Sequence, residues 1–473
     1  MGDSNSVAHN AAWLIAQPIL VGVVSIVVTA LVARDLGTTN YGTLLLLISY
    51  SAVFTQLSNL GLRPYTVREI AADRRRALEM VSDMIVLRAM LALLAILVAV
   101  PFVTVIDTTL PAALIGALFL LIFFNSLTGC FIDGLQGAEH MKAVATSFAT
   151  SGILTQLACM ASLALDWGLN GIAAAYTLGA LVMLVMVGIQ FSRLTGSLKP
   201  ASPGGRQLAH LRLSWAYLLQ NVVGVVRNRI DLLLINSMLG AHAAGIYGSS
   251  MVLVQRLDLI QDGIATALFS RVAYLYTRSR DELIALVRGA IKFVLVIATP
   301  CAVGLFAVSN EIVALMFGRQ FAESGPILAI VGLAVPFLFV GGVLFNVLRA
   351  MDLAPIVLRA TIWATVMTLV FFVVGIITMV TAGAAIAFVS GSALLAALLL
   401  REYWLRYGAP WTAADLGKIV AANAVMGFSL WLMQDQHLAV KILAAMVIFA
   451  GVTRMLGLVT PAMIKAMFAR KSA

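Results

Sequence analysis

The sequence predicts an all-α polytopic membrane protein of about fourteen transmembrane helices, built as a parallel internal repeat. Three observations carry this prediction. Of 473 residues, 62% are hydrophobic and only 11% charged, with a mean hydropathy of +1.01. A soluble chain runs near 45–50% apolar and about 25% charged. The apolar residues also come in long runs such as 91–106, and a hydrocarbon crossing takes about 20 of them. Finally, the basic residues segregate to alternate loops, and the two halves superpose at one constant shift. A soluble enzyme, a disordered chain and a disulfide-stapled secreted domain are excluded.

In order along the chain, the spans fall at 11–33, 42–62, 81–106, 111–133, 143–165, 171–191, 216–238, 246–268, 289–308, 326–348, 356–380, 384–403, 416–433 and 442–461. Met1–Asn10 lacks a basic segment ahead of the first run, which predicts an uncleaved first span. The loops are short except 192–214, where Lys199-Pro200-Ala201-Ser202-Pro203-Gly204-Gly205 has linker composition. The predicted organisation is a first half over 1–192, a cytoplasmic linker over 193–214, a second half over 215–403, and two further spans with a cytoplasmic tail over 404–473.

Of the 31 Lys and Arg, twenty-three fall in one set of loops and tails, including Arg63, Arg68, Arg74–Arg76, Arg206 and Arg278. The opposite set holds Arg34, Arg319 and Lys441 alone. By the positive-inside rule both termini are cytoplasmic. The net charge of +10 is thus a topology signal, and no nucleic-acid partner is expected. Cys130, Cys159 and Cys301 sit in apolar runs without metal-site or disulfide spacing.

The halves align at an ungapped shift of 203 residues. Leu36-Gly37 falls on Leu239-Gly240, Gly42 on Gly245, Arg68 on Arg271, Arg75 on Arg278 and Glu79 on Glu282. Six spans separate the copies, so both have the same orientation, and the substrate site is expected between the repeats.

Ionisable side chains inside spans cost roughly 2.5–3.5 kcal/mol on insertion scales. They concentrate in spans seven and eight, as Arg227, Arg229 and Asp231, then Arg256, Asp258 and Asp262, beside the polar Gln220, Asn228 and, in span two, Asn59. One reading is structural, with three arginines and three aspartates neutralising one another. The other is a wet cavity for an anionic headgroup, because guanidinium binds phosphate bidentately. Asp231, Asp258 and Asp262 are candidates for a coupling H⁺ or Na⁺, and no other cofactor is expected. Arg88 and Arg454 are expected to snorkel toward the cytoplasmic face. Arg34-Asp35 is either an interfacial pair or an outer gate. The five histidines are scattered through the tail and loops, no catalytic or metal-binding motif is visible, and the chain is not expected to be an enzyme.

Ala33-Arg34-Asp35-Leu36-Gly37 with Tyr41-Gly42, Asn59-Leu60-Gly61-Leu62 with Val67-Arg68-Glu69-Ile70-Ala71, Gly134-Leu135-Gln136-Gly137-Ala138-Glu139-His140-Met141-Lys142, and Glu311 to Phe321 come in a characteristic order. In that order they resemble the polysaccharide-transporter branch of the multidrug/oligosaccharidyl-lipid/polysaccharide flippase superfamily. The resemblance implies the two-lobe fold of the multidrug-extrusion transporters, with six spans per lobe and two more at the end. It also implies alternating access, and a substrate of oligosaccharide joined through diphosphate to a polyprenyl lipid, for surface polysaccharide assembly. The family's cavity arginines match Arg227, Arg229 and Arg256. Implied partners are membrane lipids, the lipid-linked glycan and polysaccharide polymerase or export machinery, with the protein itself a monomer. The alternatives are a cation-coupled multidrug or small-solute exporter, a lipid II flippase and, least favoured, a membrane-embedded glycosyl- or acyltransferase.

Overall fold

The computed structural model describes residues 3–106, 110–196 and 204–458. They form fourteen α-helices: α1 Asp3–Asn59, α2 Leu62–Ala72, α3 Ala77–Ile106, α4 Ala112–Gly137, α5 Met141–Ala164, α6 Gly168–Thr195, α7 Gly205–Leu239, α8 Ala241–Tyr276, α9 Arg280–Phe317, α10 Ser324–Gly332, α11 Val335–Ala350, α12 Ala354–Tyr407, α13 Ala413–Leu432 and α14 Leu438–Met455. No strand occurs among the described residues. In hydrocarbon every backbone N–H and C=O must be paired within its own segment, and helices achieve that.

Nine of the helices among the described residues are long and apolar enough to cross a membrane, or ten if the bent pair α10–α11 counts as one span. The 41° bend falls at Leu333–Ala334, with Pro336 in the first turn of α11, where its missing N–H costs nothing. Three longer helices are divided by backbone breaks, α1 at Gly37, α9 at Val308 and α12 at Met379–Val380. The arms of α12 fold back as an antiparallel hairpin. A methyl on Gly383 would lie 1.8 Å from the Gly375 carbonyl oxygen, and one on Gly391 would lie 2.2 Å from Thr368 Oγ1. Along α3, Met90, Leu93, Leu94 and Leu97 stand exposed on one face. Such a stripe would be a liability in water and is at home against lipid tails.

The chain divides into two compact units, Met1–Gly245 and Ile246–Ala473. In the first, the core beneath α2 is built by Leu62, Ile70, Val81, Met84, Leu135, Val187 and Phe191. In the second, α13 and α14 are fastened to α9 at three levels. Lys292 pairs with Asp415 at 2.7 Å, Asn423 Nδ2 donates to Thr299 Oγ1 at 2.8 Å, and Lys441 Nζ donates to Glu311 Oε1 at 2.8 Å. Between these polar ties, Val296 and Val308 pack with Ile419, Ala422 and Met426. Lys441, read from sequence as a loop residue, is 4% exposed within α14 and reaches its carboxylate partner.

The repeat is visible in the backbone. Gly37 and Gly240, paired by the 203-residue shift, have φ/ψ of 72/176° and 86/175°. Both conformations lie at positive φ, where a side chain would be strained. Downstream the copies differ: Leu60 and Gly61 take φ of 38° and 76° and separate α1 from α2, whereas α8 runs unbroken from Ala241 to Tyr276.

Candidate functional site

Arg34 and Asp35 are exposed on the last turn of the first arm of α1. The close approach at this end is made instead by the two glycine turns. A methyl on Gly42 would lie 1.9 Å from the Ala241 carbonyl oxygen, and one on Gly245 would lie 2.0 Å from that of Thr38. Thr38 and Ala241 are themselves related by the 203-residue shift, so the contact is reciprocal, as a two-fold axis requires. Thr38 Oγ1 and His242 Nδ1 hydrogen-bond at 2.8 Å across it.

Asn59 ends the second arm of α1. Its amide donates to Gln56 Oε1 at 3.0 Å, while its own Oδ1 and the neighbouring Thr55 Oγ1 are buried without a hydrogen-bond partner. On α7, Arg229 and Asp231 are half-buried, and Asp231 Oδ1 accepts from the Leu232 N–H at 2.8 Å. Arg256 is half-buried on α8 in the second unit. The side chains of Gln220, Arg227, Asn228, Asp258 and Asp262 lie outside the described residues.

Sequence reasoning missed two charged clusters in the first unit. The first corrects the reading of Arg88. It does not snorkel; it is 1% exposed and donates from Nη2 to Asp133 Oδ2 of α4 at 2.5 Å. Asp133 is also 1% exposed, and its other oxygen lies 3.5 Å from Nε of Arg63. Arg88 Nη1 fills the space a side chain at position 129 would need, since a methyl on Gly129 would come within 2.4 Å of it. The available signal was an opposite charge in the following span, because opposite charges in consecutive spans seek each other where water is absent. Asp133 escaped because it terminates its predicted span. Arg454, by contrast, is exposed on the last turn of α14.

The second cluster joins the start of α7 to α2 and α3 around a cavity of about 290 Å³. Asp83 of α3 is 2% exposed and faces three donors from two successive turns of α7: Arg206 Nη2 at 3.0 Å, Gln207 Nε2 at 3.3 Å and His210 Nε2 at 3.4 Å. Arg206 also donates to Glu79 Oε1 at 2.5 Å, one turn earlier on α3. Across the ring, His210 Nδ1 lies 2.9 Å from the Tyr65 hydroxyl. Burial first, then the Glu69 carboxylate, push the Tyr65 hydroxyl above the ordinary tyrosine range, so it keeps its proton. His210 thus bridges the two elements, with Nδ1 toward the Tyr65 hydroxyl and Nε2 toward the Asp83 carboxylate. Ten residues expected as linker, 205–214, are thus helical and anchored.

None of this assembles a nucleophile with a base, and no group of three or more His, Cys, Asp or Glu able to hold a metal occurs among the described residues. A family model described as "Polysaccharide biosynthesis protein" matches residues 31–326. A probable low-salt glycan biosynthesis flippase, Agl15 of Haloferax volcanii, is 23% identical over 359 residues, 75% of this chain and 74% of its own. Among solved structures, the lipid II flippase MurJ in an inward closed conformation has a TM-score of 0.77 at 14% identity, covering 94% of this chain and 98% of that one. An inward-facing multidrug resistance MATE family transporter of the MOP superfamily has a TM-score of 0.68 at 15% identity, covering 82% and 95%. At such identities the structural likeness is one of fold, shared with MurJ and with the MATE family transporter.

Proposed function

The chain belongs to the polysaccharide biosynthesis protein family, and from this premise we propose that it is a flippase for a polyprenyl-diphosphate-linked oligosaccharide, working by alternating access in the cytoplasmic membrane. The observation that carries the reading is the family match itself. It runs from the first glycine turn through α7 and α8, the helices that carry the candidate cationic groups. The glycan flippase relative and the transporter fold support it. Flippase and transporter relatives of this kind are not catalytic enzymes.

In this reading Arg227, Arg229 and Arg256, with Asn59, Gln220 and Asn228, receive the diphosphate and the first sugars. Asp231, Asp258 or Asp262 takes a coupling H⁺ or Na⁺. Both termini are cytoplasmic and the protein works as a monomer, delivering its glycan to polymerase or export machinery. A lipid II flippase or a cation-coupled exporter shares the fold, and ligand chemistry separates them.

Native mass spectrometry of the detergent-purified protein with added polyprenyl-diphosphate oligosaccharide tests this. The expected result is a retained adduct, weakened about tenfold to a hundredfold by Arg229→Ala, the range for a charge-assisted hydrogen bond of about 1.5–3 kcal/mol. Arg229→Lys recovers part of it, because an ammonium cannot form the bidentate fork. Equal affinity in all three proteins removes Arg229 from the site. Saturable binding of small cations with no lipid adduct replaces the flippase by the exporter.

A further inference from the structure

We propose that Asp83 is a positioning residue for the transport site: it fixes the rotation of α7 about its own axis, and through it the direction in which Arg229 is presented. The inference rests on the reading that Arg229 meets the diphosphate.

Three features of the first unit lead to it. First, Asp83 is nearly inaccessible, and its carboxylate is the common acceptor for residues 206, 207 and 210. These span about 100° of the helix circumference, so together they define a face rather than a point. A single hydrogen bond would let α7 pivot about it, and three on one acceptor prevent that. Second, the anchor is tied outward at both edges, by Arg206 to Glu79 and by His210 to Tyr65, with Ser214 Oγ one turn further donating to the Leu60 carbonyl oxygen at 3.4 Å. Third, α7 runs as one helix from Gly205 to Leu239 without an interior break. Arg229 follows Gln207 by twenty-two residues, six turns plus about 40°, and about 33 Å along the axis. A rotation imposed at the anchor therefore arrives at Arg229 undiminished. A functional group must be held within about 10–20° of its working direction, and one residue of helical slip is 100°.

Facing Asp83 and His210 are Tyr65 and Glu69 from α2, Arg76 from the turn before α3, Glu79 from α3 and Arg206 from α7. Glu69, Glu79 and Asp83 share the cavity with the guanidinium groups of Arg76 and Arg206.

The test combines a register readout with a kinetic one. In protein with Cys130, Cys159 and Cys301 changed to Ala, single cysteines are placed by Leu232→Cys, Ile235→Cys and Ser237→Cys. Maleimide labelling is followed without substrate. Residues 232 and 235 are buried and 237 exposed, so only the last labels rapidly. Adding Asp83→Asn is expected to speed labelling at 232 or 235 by about tenfold. In vesicles, the same change raises the half-saturating concentration of a polyprenyl-diphosphate glycan probe by about tenfold while the maximal rate stays within about twofold. Asp83→Glu, which keeps the carboxylate, recovers part of both effects. If Asp83→Asn does not fold, Arg206→Gln with His210→Gln removes the anchor from its more exposed side. An unchanged labelling pattern overturns the proposal, even where half-saturation rises, because Asp83 then acts by another route. If the unsubstituted protein takes no diphosphate lipid, the substrate reading fails, while the labelling pattern still judges the anchor.

Discussion

Asp133→Ala is expected to lower the melting temperature sharply. The substitution leaves the Arg88 guanidinium, 1% exposed, without its carboxylate and without water. Breaking a buried pair from one side costs about 3–5 kcal/mol, a large share of a typical stability of about 5–15 kcal/mol. Arg63 cannot substitute as a partner, being a cation itself with a mostly solvent-exposed side chain. The paired change Arg88→Met with Asp133→Leu removes both charges at similar volume and should restore much of the loss, because the desolvation penalty disappears with the pair. Glu139→Ala breaks the exposed pair with Arg74 and should leave the melting temperature unmoved. Thermal unfolding of the four proteins in detergent decides the matter. A single Asp133→Ala as stable as its parent would mean that the pair contributes nothing; a double variant no better than the single would mean that Arg88 serves something beyond neutralising Asp133.

That pair also shows where the sequence ran out. Membrane location, helical class and the repeat were legible because each rests on many residues at once: long apolar runs, alternating loop charge, and several matches at one shift. The prediction that Leu36-Gly37 and Leu239-Gly240 are equivalent turns is met in their dihedral angles. Pairing is different. Nothing local to Arg88 names Asp133 as its partner 45 positions away, and nothing in 205–214 distinguishes an anchored helix from a linker, because Arg206, Gln207 and His210 read as ordinary solvated residues until Asp83 is placed opposite. The same limit applies to Lys441, basic beside a predicted turn yet buried against Glu311. The concentration of charge in spans seven and eight drew attention from the first unit, where the Arg88–Asp133 pair and the Asp83 cluster lie.

The glycine turns carry the second large effect. Gly42→Val is expected to separate the turn of α1 from the turn between α7 and α8, because the obstruction is backbone on both sides. A first side-chain carbon at Gly42 would lie 1.9 Å from the Ala241 carbonyl oxygen and 2.8 Å from the Gly245 nitrogen, and neither can rotate away. Overpacking a core with flexible neighbours costs about 1–3 kcal/mol, and a rigid obstruction falls at or beyond the upper end. The reciprocity makes a sharper demand. Gly42→Ala and Gly245→Ala break the same contact from its two sides, so once one is made the other has little left to lose. The double variant should be destabilised by much less than the summed single effects, as expected for residues in direct contact. Gly116→Ala is the matched control, because a methyl there meets nothing within 4 Å and helical Gly→Ala stabilises by about 0.5–1 kcal/mol. A cysteine pair made by Thr38→Cys with His242→Cys, at positions whose side chains hydrogen-bond at 2.8 Å, should cross-link on oxidation in the parent and lose that reaction in Gly42→Val. Additive losses in the double variant, with cross-linking undiminished by valine, would show that the turns do not meet. Sub-additive losses with cross-linking abolished would establish that the repeat closes on itself through two glycines and two carbonyl oxygens, where any added carbon forces it apart.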